Sequence, residues 1–169
     1  MTIEEIYVND FDSTYVVWTE QPPTPYLQDE SSSYIYKSTS KRGTFKEGCW
    51  TFSSSSGLGT ITSVKLRFEE KQTNLDGDAS ISVYVWNGSS WSLAGTIYPV
   101  STSYAWEELN VSSILNTWAK INAAKIYLET EEATGVTSTI YIRRCTRKVD
   151  YTTEVAALAS KRLLVGVGL

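Results

Sequence analysis

Apolar and polar residues alternate along much of the chain. In SVKLRFE (63–69), Val64, Leu66 and Phe68 alternate with polar residues, and ISVYVW (81–86) and AKIYLE (124–129) repeat this spacing. Successive side chains of a strand point to opposite faces of a sheet. The period of two therefore predicts strands with one buried face and one wet face, as in antiparallel sheets.

Seven further segments have the composition of strands. Turn residues separate them, including the SSSSGLG run at 53–59 and the Asn87-Gly88 dipeptide, which favours a hairpin. Nine or ten short strands with regular turns predict an all-β fold, an antiparallel β-sandwich of the jelly-roll type. The seven segments are Ile3–Val8, Thr14–Trp18, Ser33–Lys37, Cys49–Phe52, Trp91–Ile97, Tyr104–Leu109 and Thr139–Tyr151.

One segment, NVSSILNTWAKIN, has helical rather than strand spacing. Ile114, Leu115 and Trp118 lie at intervals that share one helical face, and Ser112 or Ser113 is a suitable N-cap. The pattern predicts one short helix near 112–119. We expect this helix to close one open end of the core.

Length and charge limit the classes of function. A chain of 169 residues with 41% hydrophobic residues fits one domain, placed at 1–153, followed by an apolar C-terminal extension at 154–169. The net charge of −4 argues against a nucleic-acid groove. The start, MTIEEIYVND, lacks the pattern of a secretory signal. The apolar stretch 155–169 is shorter than the roughly 20 residues needed to span a bilayer, so we expect no membrane span.

The sequence offers little for catalysis. It contains no histidine, which excludes Ser-His-Asp and Cys-His nucleophiles and ordinary histidine zinc sites. Adjacent glutamates occur at 4–5, 69–70, 107–108 and 131–132, but neighbours on a strand point to opposite faces and cannot form a facing pair. Distant carboxylates could still meet in the fold. We expect a protein that is not an enzyme and carries no cofactor.

Two features suggest a metal site and a disulfide. Asn74, Asp76 and Asp78 alternate in NLDGD and could offer oxygens to Ca²⁺, although the full loop motif is missing and a hairpin turn at 76–77 is the simpler interpretation. Cys49 and Cys145 are the only cysteines. They could join an early strand to the last one, or remain two buried thiols.

Aromatic residues make up 12% of the chain, and three of them are predicted on an outer sheet face. If Val83 and Val85 point into the core, Tyr84 and Trp86 point outward, and Tyr127 does so on a later strand. Exposed rings can stack on sugars or pack against another subunit. Alternatively, both faces of the sheet are covered, or Trp86 simply pairs with Trp91 across its hairpin.

The order of these segments resembles a known architecture. The runs GCWTFSSSSGLGTITSVKLRFEEK, ISVYVWNGSSW, WEELNVSSILNTWAKINAAKIYLE and TIYIRRCTRKVDYTT are similar to jelly-roll β-sandwich domains of carbohydrate-binding modules and of structural proteins of tailed phages and archaeal viruses. The resemblance covers about residues 34–153. It implies a fold more than a function, because it rests on strand order and the SSILNTW element rather than on an active-site motif.

The tail allows three interpretations. It could form a short helix on its own domain, add a strand to the sheet edge of a neighbouring copy, or lie on a membrane surface. Strand addition explains most, because the end of the tail is branched, uncharged and contains two glycines that allow close backbone approach. Residues 1–8 are a second candidate arm. The arm residues are Leu163, Leu164, Val165, Val167 and Leu169.

Together these features predict a non-enzymatic structural subunit of an extracellular or viral assembly, such as a virion coat, decoration or tail protein or a filament subunit. Its partners would be copies of itself or other structural subunits, and its location the virion or an extracellular particle. The alternative is a carbohydrate-binding module that contacts glycans through Tyr84, Trp86 and Tyr127.

Overall fold

The computed structural model describes residues 1–12, 19–21, 34–38, 47–55, 59–75, 79–131 and 138–153. For 9–12, 19–21, 34–38, 47–49 and 131 it describes the backbone alone. The predicted strand Thr14–Trp18 and the tail from 154 to 169 lie outside the described residues.

Ten antiparallel strands and one short helix, α1 (Trp118–Ala123), make up the described part of the chain. The predicted strands that fall within it are present, with their ends displaced by a few residues, and the all-β fold is confirmed. The strands are β1 (Thr2–Asp12), β2 (Thr19–Gln21), β3 (Tyr34–Ser38), β4 (Glu47–Phe52), β5 (Thr60–Gln72), β6 (Ser80–Trp86), β7 (Trp91–Ile97), β8 (Ala105–Asn110), β9 (Lys125–Glu131) and β10 (Thr139–Thr152).

The strands form two sheets that share β1. In sheet A, β10 pairs with β5 along one edge and with β3 and the first half of β1 along the other, while β8 continues beyond β5 and β2 beyond β3. In sheet B the order is β1, β4, β9, β6, β7. The strand order is that of a β-sandwich, and its two outer faces are available to carry function.

Strand β1 crosses from one sheet to the other. Residues 2–7 pair with β10 in sheet A, and after a shift in register between Val8 and Asp10 the strand pairs with β4 in sheet B. The segment predicted as a second assembly arm is thus a strand of this chain's own sheets. Each half of β1 has one partner strand among the described residues, so β1 is an edge strand of both sheets and the role of residues 1–8 as an assembly arm remains a prediction.

The core lies between the two sheets and follows the alternation read from the sequence. Every inward residue of the three alternating segments is at most 3% exposed. Each such aliphatic or aromatic side chain contributes about 1.5–3 kcal/mol when fully buried. These residues are Val64, Leu66 and Phe68 on β5, Ile81, Val83 and Val85 on β6, and Ala124, Ile126 and Leu128 at the start of and along β9.

The helix begins later than its prediction. α1 is capped by Thr117, whose side chain accepts a hydrogen bond from the Lys120 N–H, and Ser112 serves another purpose. The Ser112 hydroxyl accepts from the Val64 N–H and donates to Asn110 Oδ1, which fastens the end of β8 to β5. Because Ser112 is occupied in this way, residues 112–115 form a turn. The predicted apolar face still packs, with Leu115 fully buried.

An arginine occupies one inward position of β10. Arg147 is fully buried beneath α1. Its guanidinium donates to the Ile121 carbonyl at 2.6 Å, the Ser53 carbonyl at 2.9 Å and the Ser55 hydroxyl at 3.0 Å, and lies 5.0 Å from the ring centroid of Phe52. Burial lowers the pKa of Arg147 to about 10, so the group stays charged at neutral pH. Arg147 joins the helix, the loop after β4 and the core.

Candidate functional site

The outer face of sheet B carries a cluster of aromatic side chains. Tyr84 and Trp86 of β6, Tyr127 of β9 and Trp91 of β7 come from three adjacent strands, and Tyr84 is paired directly with Tyr127. Their inward neighbours are core residues, so alternation directs these four rings to the other face. We call them the aromatic face. The structure brings together all three outward aromatics named in the sequence analysis.

The two tyrosines form a closed stack. The ring centroids of Tyr84 and Tyr127 are 4.5 Å apart and the planes differ by 2°. Each ring therefore covers one face of the other, and neither tyrosine is a fully open stacking surface. Their contribution to an outer surface lies in their remaining faces, their edges and their hydroxyls.

Trp91 is the most accessible ring of the cluster and was not among the predicted site residues. Its plane is inclined by 74° to the Tyr127 ring, with centroids 5.0 Å apart, and its side chain is 40% exposed. Trp91 also contacts Trp86 at 5.7 Å, so the hairpin pair considered in the sequence is present. The signal for Trp91 was available: it lies four residues after the Asn87-Gly88 turn and directly opposite Trp86.

Polar groups border the aromatic face. Ser82 of β6 is paired with Glu129 of β9 and Thr96 of β7. The Tyr127 hydroxyl lies 3.5 Å from Glu129 Oε1. Burial, followed by the charge of Glu129, raises the pKa of Tyr127 to about 12, so its phenol keeps its proton as a hydrogen-bond donor. Rings and hydrogen-bonding groups thus share one surface.

Two distant carboxylates do meet in the fold. Glu70 of β5 and Glu107 of β8 lie diagonally across the two paired strands, on the inner side of sheet A. Glu70 is paired with Ala105, and Phe68 is paired with Glu107. Burial and the nearby charge of Glu107 raise the pKa of Glu70 to about 7. Glu70 is only 2% exposed, so a substrate cannot reach it and the pair does not constitute a catalytic cleft.

The structure describes a free thiol at Cys145 and only the backbone of Cys49, which agrees with the alternative of unbonded thiols. Cys145 is a free, fully buried thiol, and burial raises its pKa well above the usual value. It is paired with Phe68 in sheet A, whereas Cys49 is paired with Tyr127 in sheet B.

Several predictions concern residues that the structure does not describe. Asp76 and Asp78 of the calcium hypothesis and all five arm residues of the tail, Leu163 to Leu169, lie outside the described ranges. Asn74 is described, and its backbone N–H donates to the Ser138 hydroxyl at 3.3 Å. The calcium site, the assembly arm and the viral or extracellular location remain predictions.

Within the described ranges, no helix has the length and apolar character to cross a membrane.

Comparison with known proteins gives a likeness of fold. No protein-family model and no curated protein matches the chain. Among solved structures, one described as "Carbohydrate binding module family29" has 17% identity, covers 88% of this chain and 90% of its own, and has a TM-score of 0.43. A family 29 carbohydrate binding module from Piromyces equi has 9% identity, coverages of 87% and 89%, and a TM-score of 0.39.

A third chain, described as "CBM4 structure and function", has 12% identity, covers 79% of this chain and 94% of its own, and has a TM-score of 0.40. At such identities and TM-scores these likenesses carry no argument about what this chain binds. That question depends on the geometry of its own side chains.

Proposed function

We propose that the protein is a non-catalytic carbohydrate-binding domain and that the aromatic face of sheet B contacts the sugar. The observation that carries this proposal is the position of Trp91, a 40% exposed ring set nearly perpendicular to the stacked Tyr84–Tyr127 pair. An exposed ring that belongs to a contiguous cluster of aromatic side chains is typical of a binding surface, whereas a single exposed ring is not.

The geometry suits a sugar because a pyranose has one apolar face and a rim of hydroxyls. The C–H face can lie on an open indole, while the hydroxyls need donors and acceptors nearby. Trp91 supplies the ring. Glu129 supplies carboxylate acceptors, and the Tyr127 hydroxyl, which donates its proton to Glu129, can accept from a sugar hydroxyl; both lie within the same three strands.

The cluster also holds its rings in place before any ligand arrives. Trp91 contacts both Trp86 and Tyr127, and Tyr127 contacts Tyr84. Aromatic side chains held by their neighbours lose little conformational freedom on binding, which favours affinity. The assembly role has no such support from the described residues, and sugar binding is therefore the function that the geometry favours.

The test is binding of the full chain to an array of neutral glycans, followed by calorimetric titration of the best oligosaccharide. Trp91→Ala removes the open ring, whose contact with a sugar is worth about 1–2 kcal/mol, so Kd should rise about five- to thirtyfold. Trp86→Ala should also weaken binding, because Trp86 supports Trp91 from the paired position of β6.

Trp106→Ala is the matched control. Trp106 is 38% exposed, close to the value for Trp91, but it lies on β8 at the outer face of sheet A. Affinity for neutral glycans should not change in this variant. Equal losses with Trp91→Ala and Trp106→Ala, or an array without any bound glycan, would overturn the proposal.

A further inference from the structure

A second surface lies on the opposite side of the sandwich, at one end of the outer face of sheet A. Arg143 and Arg144 of β10 pair there with a single carboxylate, that of Glu69, and Lys71 of β5 shares the Tyr104 ring with Arg143. Glu70, the next residue along β5, is buried on the inner side. This end of the face therefore carries surplus positive charge on a chain whose net charge is −4.

Two of the cations share one aromatic ring. Lys71 Nζ lies 4.6 Å and Arg143 Cζ 4.4 Å from the centroid of Tyr104, and Lys71 lies 5.0 Å from that of Tyr141. The ring faces attract both cations and hold them at defined positions. Like charges held this close repel one another, and an anion placed between them relieves the repulsion.

The carboxylate on this surface is already engaged. Arg143 donates two hydrogen bonds to Glu69, one of them from Nε at 2.9 Å, and Arg144 Nε lies 3.2 Å from the same carboxylate. Across the described ranges, no carboxylate pairs with Lys71, whose contacts are the two tyrosine rings. Lys71 is the cation that remains available to a ligand.

The other end of the same face is balanced. Lys65 pairs with Glu108 at 2.6 Å, and Arg67 pairs with Glu5 at 2.6 Å and with Glu108 at 2.9 Å. The surplus charge is consequently local to one end rather than a property of the whole face. Surplus positive charge therefore distinguishes the end that carries Lys71 and Arg143 from the end that carries Lys65 and Arg67.

We infer that the Lys71–Tyr104–Arg143 cluster binds an acidic polysaccharide through its carboxylate or sulfate groups. A polymer fits better than a free ion because a charge pair on an exposed sheet face is weak alone and gains from repetition along a chain. A nucleic acid fits less well. The cations already occupy ring faces on which bases would stack.

The experiment measures binding of the full chain to polygalacturonate, heparin, single-stranded DNA and neutral dextran at about 0.05 M and about 0.3 M NaCl, because the higher salt concentration shortens the screening length. We expect binding to at least one acidic polymer, weaker at the higher salt, and no binding to dextran through this face. Lys71→Gln should weaken that binding about tenfold, as expected for losing a charge-assisted contact. Lys71→Arg, which keeps the charge, should retain it.

Lys65→Gln is the control of equal charge change on the same strand and the same face. It should alter the affinity less than twofold, since Lys65 is already neutralised by Glu108. Equal losses in the Lys71 and Lys65 variants would show an effect of net charge alone and overturn the inference. So would the absence of binding to both acidic polymers, or tighter binding to single-stranded DNA.

Failure here is distinguishable from failure of the proposed function. Trp91→Ala should leave binding to acidic polymers intact, because Trp91 lies on sheet B and the cluster on sheet A. Conversely, Lys71→Gln should leave neutral glycan binding unchanged.

Discussion

Tyr84 and Tyr127 stack face to face across β6 and β9, with ring centroids 4.5 Å apart and planes within 2° of parallel. The two residues are directly opposite in the strand register. Because the two tyrosines cover each other, the most exposed ring of the aromatic face is that of Trp91, which contacts Tyr127. The stack is a support for the exposed indole as much as a contact surface itself.

The stack should contribute measurable coupling to stability. Aromatic pairs of this kind are worth about 0.5–1.5 kcal/mol beyond the area they bury. In a double-mutant cycle of Tyr84→Ala and Tyr127→Ala, we expect a coupling free energy of that size in urea unfolding. Tyr127→Phe keeps the ring and should keep the coupling with Tyr84. A coupling free energy of zero between Tyr84 and Tyr127 would contradict a role for the stack in holding the aromatic face.

Stability should fall as the pH rises through the titration range of Glu70. Its folded pKa of about 7 lies above the ordinary value of 4.5, so between these two values the folded state holds a proton that the unfolded state has released. The contribution of Glu70 to the free energy of unfolding should be highest below pH 4.5, decrease by up to about 1.4 kcal/mol per pH unit, and level off above about pH 7.

Glu70→Gln tests this directly, because the amide is close in shape and cannot ionise. In the variant, the free energy of unfolding should decrease much less as the pH rises. At pH 8 the variant should be more stable than the parent protein. Glu107 is the charged group that acts on Glu70. Burial raises the pKa of Glu107 itself, and a hydrogen bond from the Tyr98 N–H opposes that rise. Glu108→Gln is the control, since Lys65 holds the pKa of this exposed carboxylate low. An unchanged slope in Glu70→Gln would refute the assignment.

Alternation predicted the strands well because the physical signal is local: Val64, Leu66 and Phe68 need only their own neighbours to mark a half-buried strand. The helix start was misplaced because Ser112 could either cap a helix or bind another strand. It binds Val64, which is 48 residues away along the chain and cannot be identified from local sequence. Contacts between distant strands, such as the pairing of Tyr84 with Tyr127 or the approach of Glu70 to Glu107, cannot be read from periodicity. They depend on strand order and register, which only the fold fixes.

Removing the buried arginine should be among the most damaging single changes. Arg147→Met leaves the Ile121 and Ser53 carbonyls without their donor and the Ser55 hydroxyl without a partner in the guanidinium. A buried polar group left without its hydrogen-bond partner typically costs about 1–3 kcal/mol. Arg147→Lys should recover only part of this, because an ammonium lacks the planar fork that reaches several acceptors at once.

Guanidinium chloride unfolding of the purified variants measures this loss. Lys148→Met, the next residue on β10, is the control: Lys148 is partly exposed, and its substitution should change the free energy of unfolding by less than about 1 kcal/mol. Similar midpoints for Arg147→Met and Lys148→Met would mean that the buried guanidinium contributes no net stability.

The thiol of Cys145 should be protected by the fold and not by oxidation. It is 0% exposed and burial raises its pKa, so little reactive thiolate forms. In the folded protein a thiol reagent should label Cys145 only at the rate of unfolding. In denaturant without reductant, both cysteines should react, and Cys145→Ala should reduce the count to one. If the denatured, unreduced chain shows no reactive thiol, Cys49 and Cys145 are joined and the free thiol described at Cys145 is wrong.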